Sequence, residues 1–280
     1  MFLNFLFYSG GAALVLIAQA LLSVIIEKNN GSKSSIKTDF IAILVFAVVF
    51  GMIFTVGNEL LRNHIDFKIV IIIFIGALIS SYWFFVAPIF YLFRKGKNVR
   101  DIGIEKQLQS EGYSYKVLFS DEISLNAYCT GGLPHLRLII IANDLKSRMN
   151  DVELKSIIYH EIGHHERKHL IKLFGINILL FTSYYLMFDF ILGFELPWYW
   201  ELGAVAIGAG IAGLVFYYVP NRILYHLEYE ADLFSAKHNQ KQVVMNALIK
   251  FDEITNGELT KGNVNHPNLK KRLENLKRFG

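Results

Sequence analysis

The sequence predicts a mainly α-helical, multi-span membrane protein with a small β-sheet and a polar domain split by a transmembrane hairpin. Three observations lead there. The 280 residues are 53% hydrophobic with positive mean hydropathy, too apolar for one soluble domain. Five stretches are long enough to cross a bilayer. The polar remainder falls in two blocks, about 95–169 and 220–280, and neither is long enough to bury a good core alone.

Taken in order, residues 1–94 are expected to hold three transmembrane helices. The first runs from about Phe2 to Ile26, long for a signal sequence and with no Lys or Arg before it. The second runs from about Phe40 to Val56, extendable to Leu61, and the third from Ile69 to Phe93 without a charge. Residues 170–219 are expected to form the hairpin. Its fourth span, about Leu173 to Phe194, carries one acid, Asp189, and its fifth, about Trp198 to Val219, opens on an aromatic belt. Gly203, Gly208, Gly210 and Gly213 in that last span suit close helix packing in lipid.

Basic residues orient the spans. Lys28, Lys33 and Lys37 follow the first, Arg94, Lys95, Lys97 and Arg100 the third, Arg167, Lys168 and Lys172 precede the fourth, and Arg222 follows the fifth. The opposite side has Arg62 and Lys68. This bias predicts an N-terminus outside and both polar blocks in the cytosol, in a bacterial-type cell membrane with lipid as a partner. It also accounts for the net charge of +4, and no interleaved basic-aromatic pattern points to nucleic acid. Cys129 is the sole cysteine, which excludes an intrachain disulfide and a cysteine-based structural zinc site.

Block 95–169 is expected to open with a short helix through Ile102, Ile104 and Leu108. Tyr113–Phe119, which alternates, and Leu136–Ala142, which is nearly all apolar, read as strands. Asn150 with Glu153 forms a capping-box pattern, and the helix it starts turns Ile157, Ile158 and Ile162 inward. Block 220–280 is expected to hold helices over about Arg222–His238 and Lys241–Asn256, and one after Pro267.

The chemistry sits on the capped helix. His160-Glu161-Ile162-Gly163-His164 fits the H-E-x-x-H pattern of zinc hydrolases. At about 100° per residue the two imidazoles lie about 40° apart and can grip one ion, with Glu161 flanking them to take a proton from water. A second match, His165-Glu166-Arg167-Lys168-His169, follows at once, but His165 lies about 100° around from His164, so one ion cannot use both pairs. Gly163, which lets another backbone approach closely, and the apolar approach from Ile157 and Ile158 favour the first.

A third ligand must come from elsewhere. Glu228-Tyr229-Glu230-Ala231-Asp232 is the best candidate: Glu228 and Asp232 share a helix face and Glu230 points about 200° away from Glu228. One acid can bind metal while Asp232 accepts a hydrogen bond from a ligand imidazole and fixes its tautomer.

In these elements the chain resembles the integral-membrane gluzincin endopeptidases, the family that includes the heat-shock protease HtpX and the type-one CAAX prenyl protease. Asn126-Ala127-Tyr128-Cys129-Thr130-Gly131 resembles the family's N-A-[FY]-x-x-G segment, and His160–His164 its metal motif with the usual glycine. Glu228–Asp232 matches E-x-x-A-D, and His266-Pro267 with Arg272 and Leu273 resembles the C-terminal H-P-x-x-x-x-R-[IL] element. Leu224-Tyr225 stand where many members have Ser-Arg. The resemblance covers about 95–280 and implies a zincin-type catalytic domain holding one zinc ion.

It implies His160, His164 and Glu228 as zinc ligands, Glu161 as general base and Asp232 beside the ligands. His266 and Arg272 are implied near the transition state, or as structural groups. Asn126, Ala127 and Tyr128 are implied as an edge strand to which a peptide or membrane-protein substrate pairs. The expected activity is endopeptidase cleavage. The alternatives are a sensor-transducer, for which the longest non-membrane stretch beyond the catalytic halves is too short to form a sensor domain, and a non-catalytic scaffold, which leaves Glu161 unexplained.

Overall fold

The computed structural model describes residues 65–81, 84–85, 87–93, 98–194, 196–262 and 266–279, with isolated positions between 9 and 56. The first two expected spans thus lie almost wholly outside the described residues. In chain order the helices and strands are α1 (Ile65–Ser80), α2 (Ala87–Phe93), β1 (Asn98–Arg100), α3 (Ile102–Ser110), β2 (Lys116–Ser120), β3 (Ala127–Thr130), β4 (Leu138–Ala142), α4 (Asn143–Arg148), α5 (Asp151–Glu166), α6 (His169–Leu192), α7 (Trp198–His238), α8 (Lys241–Ile254), α9 (Glu258–Lys261) and α10 (Leu269–Phe279). The chain divides into two compact units, 1–79 with 175–222 and 80–174 with 223–280.

In the first unit Ile72 of α1 packs with Tyr184, Tyr185 and Phe188 of α6 and with Val205, Ala209 and Ala212 of α7. Small residues set the spacing: a Cβ on Gly76 would lie 3.1 Å from the Phe181 ring, and one on Gly208 3.2 Å from Ile191. Leu179, Phe190, Ile207 and Ile211 stay exposed. Helices α6 and α7 are long and apolar enough to cross a membrane, and only 17% and 33% of their most apolar windows is buried, unlike the core helix of a soluble protein. Within the apolar stretch 69–93 the described helices are α1, ending at Ser80, and α2, starting at Ala87. The fifth span and the helix expected after it are one 41-residue helix, α7, with Pro220 inside.

The second unit is built on a four-stranded sheet of order β1-β2-β4-β3. β1 is antiparallel to β2, β2 parallel to β4, and β3 antiparallel to β4 as a terminal strand. Alternation divides the central strands between two faces. Phe119, Ile139 and Ile141 pack with Leu154, Ile158 and Ile162 of α5, while Leu118, Leu138 and Ile140 meet Tyr91 and Leu92 of α2. Each such aliphatic side chain contributes about 1.5–3 kcal/mol.

Both central strands begin two or three residues later than their patterns suggest. Tyr113 is taken up by the end of α3, where its N–H donates to the Leu108 carbonyl (2.9 Å) after Gly112 turns at φ +90°. Residues Pro134–Leu136 form a single 3₁₀ turn ahead of β4.

Candidate metal centre

Helix α5 starts where its sequence dictates. The Asn150 side chain accepts from the N–H groups of Val152 (3.0 Å) and Glu153 (2.9 Å), and the Glu153 carboxylate accepts from the Asn150 N–H (3.0 Å). Its apolar face is fixed on the sheet by Ile158 and Ile162, which turns His160, Glu161 and His164 toward α7. Gly163 allows α7 to come close: a Cβ there would stand 3.0 Å from Phe234 Cβ and 3.1 Å from Ala231 Cα.

At this crossing three side chains converge. His164 Nε2 is 3.2 Å from His160 Nε2. Glu228 Oε2 lies 3.5 Å from His160 Nε2, and Glu228 Oε1 lies 3.5 Å from His164 Nε2. In a tetrahedral zinc site with bonds of about 2.0–2.1 Å, ligand atoms stand about 3.3–3.4 Å apart. The two imidazole nitrogens and the carboxylate thus form a triangle close to the spacing of ligands around one such ion, and among the described residues this is the group of His and acid side chains suited to a metal ion.

Neighbouring charges suit a cation. Burial works to raise the Glu228 carboxyl, but His266 and His160 hold it well below the usual carboxylate range. Burial keeps His164 well below the usual imidazole range, hence neutral with a lone pair to give. Burial would lower His160 too, but Asp232 and Glu228 outweigh it and raise it to about 10; the same two carboxylates favour any cation between them. Burial pushes Glu161 up to about 7, with the Glu228 charge adding to it and His160, His266 and Arg272 opposing.

A further layer surrounds the triangle. His160 Nδ1 is 2.9 Å from Asp232 Oδ1, and Asp232 is fully buried. Arg272 holds that carboxylate through Nε (2.8 Å) and Nη2, and its Nη1 is 3.5 Å from Glu228. His266 Nδ1 lies 3.2 Å from Glu228, with a side chain 45% exposed. Of the two C-terminal residues, Arg272 is thus a buried brace and His266 a cleft-facing group.

A cavity of about 160 Å³ adjoins the triangle, lined by Glu161, His160, Glu228, His266 and Arg272, with Asn126 and Ala127 at its edge and an apolar wall that includes Val244, Leu248 and Phe251 of α8. Tyr128 does not reach it: its ring meets Tyr91 edge-on (5.8 Å) on the other face of the sheet. The Asn126 carbonyl accepts from Ala142 N–H (2.9 Å), so the backbone groups of Asn126, Tyr128 and Thr130 turn toward β4. Those of Ala127 and Cys129 turn to the outer edge.

Two residues go beyond the expected set. Cys129, half-buried, lies near Glu161, and burial together with the Glu161 charge raises its thiol well above the ordinary range. His169, placed in the second H-E-x-x-H match, contacts His164 through its ring Nδ1 (2.9 Å). The other members of that match are turned elsewhere. His165 packs against the Tyr115 ring, and Glu166 accepts from Tyr115 (2.7 Å) and Arg137 (3.1 Å). Only the rank of the first match over the second was legible in sequence, not the contact between them.

The sequence profile of peptidase family M48 matches residues 96–279, more than half of the chain. No curated protein sequence matches it. Among solved structures the chain is similar to the crystal structure of S. mikatae Ste24p, with a TM-score of 0.59 and 21% identity over 85% of this chain. At that identity the likeness is one of fold, and the chain spans 65% of the length of that structure.

Proposed function

Starting from a chain that belongs to peptidase family M48, and is therefore a metallopeptidase, we propose a membrane-embedded zinc endopeptidase with Glu161 as its general base. Its substrates are membrane proteins or membrane-associated peptides. The observation that carries the reading is the His160–His164–Glu228 triangle beside a cavity that Glu161 also lines.

His160 and His164 through Nε2, with a Glu228 oxygen, would hold the ion. Zinc bound there supplies Lewis acidity, which brings the pKa of a coordinated water toward neutrality and polarises a peptide carbonyl. Glu161 takes the proton from the attacking water and delivers it to the departing amine. Its burial disfavours the charged carboxylate, which makes it a better acceptor for that proton than an exposed acid. Asp232, tied down by Arg272, accepts from His160 Nδ1–H and holds that ring with Nε2 toward the ion. His266, beside Glu228 and partly exposed, would hydrogen-bond a developing oxyanion.

An extended peptide adds as a strand along the outward groups of Ala127 and Cys129, next to Glu161. The length and apolarity of α6 and α7 support a membrane location. The basic residues flanking the spans support a catalytic unit on the cytosolic side.

The test is Glu161→Gln in the full chain. We expect zinc content to stay at the wild-type level and cleavage to fall by several orders of magnitude. Comparing the proteomes of membranes holding the active and the Glu161→Gln proteins then identifies substrates as species that accumulate with the variant. A zinc-loaded Glu161→Gln protein that still cleaves would remove Glu161 from the mechanism.

A further inference from the structure

The metal motif is followed at once by a second match whose last residue, His169, the proposed reaction leaves unused. His169 is 1% exposed, the most buried of the histidines near the site. Its ring stands at 77° to that of His164 with centroids 5.0 Å apart. Its Nδ1 is 2.9 Å from His164 Nδ1, and its Nε2 is 2.9 Å from Glu230 Oε2. Lys172 Nζ donates to the same oxygen at 3.1 Å.

This contact depends on a break in the helix. In a continuous α-helix residues five apart lie about 140° apart around the axis, too far for these rings to meet. Here α5 ends at Glu166, and Lys168 takes the left-handed conformation at φ +57° before α6 begins at His169. The non-glycine αL residue is sterically costly, and its result is that His169 turns back onto His164, five residues before it. Glu230, which points away from Glu228 on α7, completes the line from the other side.

The hydrogen bonds have one consistent direction if His164 gives its Nε2 to the ion. His164 then carries its proton on Nδ1 and donates it to His169 Nδ1. That nitrogen is an acceptor only if the His169 proton sits on Nε2, from which it donates to Glu230, and a carboxylate is acceptor-only. Reversing the line would place the His164 proton on Nε2, between His160 and Glu228, where it would exclude a cation. We infer that His169, held by Glu230, is a positioning residue that fixes His164 in the tautomer able to bind metal. The two ligand imidazoles are then held differently: His160 by a carboxylate directly, and His164 by a carboxylate through a second imidazole. The inference rests on the reading of His164 as a ligand.

Zinc affinity, measured by chelator competition on the full chain in detergent, tests it with four variants. His164→Ala should lose zinc binding; if it does not, the ligand reading itself fails. With that control passed, His169→Ala should weaken zinc binding by about 10–100-fold, while the thermal midpoint of the metal-free protein reports whether it folds. The decisive contrast is His169→Asn against His169→Gln. An Asn amide oxygen can take the place of Nδ1 and accept from His164, whereas a Gln amide lies out at the Nε2 position and leaves that place to a methylene. We expect Asn to stay within a few-fold of wild type and Gln to fall with Ala. Equal affinities for Asn and Gln, or wild-type affinity for Ala, would overturn the assignment, and the Asn–Gln pair decides it even if Ala does not fold.

Discussion

At Gly163 the absent side chain sets how closely two helices approach, and with it the distance from His160 and His164 to Glu228. A Cβ there would meet the Ala231 backbone at 3.1 Å and Phe234 at 3.0 Å, so larger groups must push α7 away from α5. Gly163→Val should cost about 1–3 kcal/mol of stability through overpacking and weaken zinc binding as well, since Glu228 sits on the displaced helix. Thermal unfolding of the metal-free variant and chelator competition read the two effects separately. Wild-type affinity in a folded Gly163→Val protein would show that helix spacing does not govern the site. This glycine was legible in sequence as a place for close backbone approach, because its role needs only the absence of a side chain. The pairing of His169 with His164 was not legible, because it depends on one backbone dihedral at Lys168 that residue spacing does not encode.

Among the elements, α5 is the one whose local signals agree most fully. The Asn150–Glu153 capping box is formed as its spacing predicts, and the helix then runs on to the histidines. Asn150→Ala removes the acceptor for two N–H groups and should destabilise the catalytic unit by about 1 kcal/mol without altering zinc stoichiometry, as seen by denaturant unfolding followed by metal analysis. No loss of stability would mean that tertiary packing alone sets the start of the helix. Helix α7 is the contrary case. Pro220 lacks the N–H that would reach the Phe216 carbonyl, and by the usual rule it marks a boundary. Yet the helix continues from Trp198 to His238, with Asn221 Nδ2 donating to the Tyr217 carbonyl (2.7 Å) at that point. Helices in apolar surroundings tolerate such a proline where tertiary packing holds the helix on both sides of it, and a single-residue rule cannot see that packing. The late start of β2 has a similar cause, since the alternation through Tyr113 is real but its N–H is already used in ending α3.

For the whole molecule the metal centre joins parts of the chain that are far apart in sequence. His160 and His164 belong to the 80–174 portion of the second unit and Glu228 to the 223–280 portion, with 175–222 assigned to the first unit. A bound ion is thus a cross-link within the second unit. A ligand that binds only the folded form adds RT ln(1 + [L]/Kd), about 2.7 kcal/mol at a free concentration near 100 Kd. That gain should be confined to the unit that contains the ligands, since units of a protein open independently when their cores are separate. Removing zinc with a chelator should therefore speed amide hydrogen exchange by up to about 100-fold in β2, β4, α5 and α8. Exchange in α1 and in the 175–222 part of α6 and α7 should not change. Glu228→Ala should already exchange at the metal-free rate and respond little to the chelator. Equal acceleration in both units would mean that the ion stabilises the chain as one cooperative body, and no acceleration anywhere would mean that the triangle of ligands is fully organised without it.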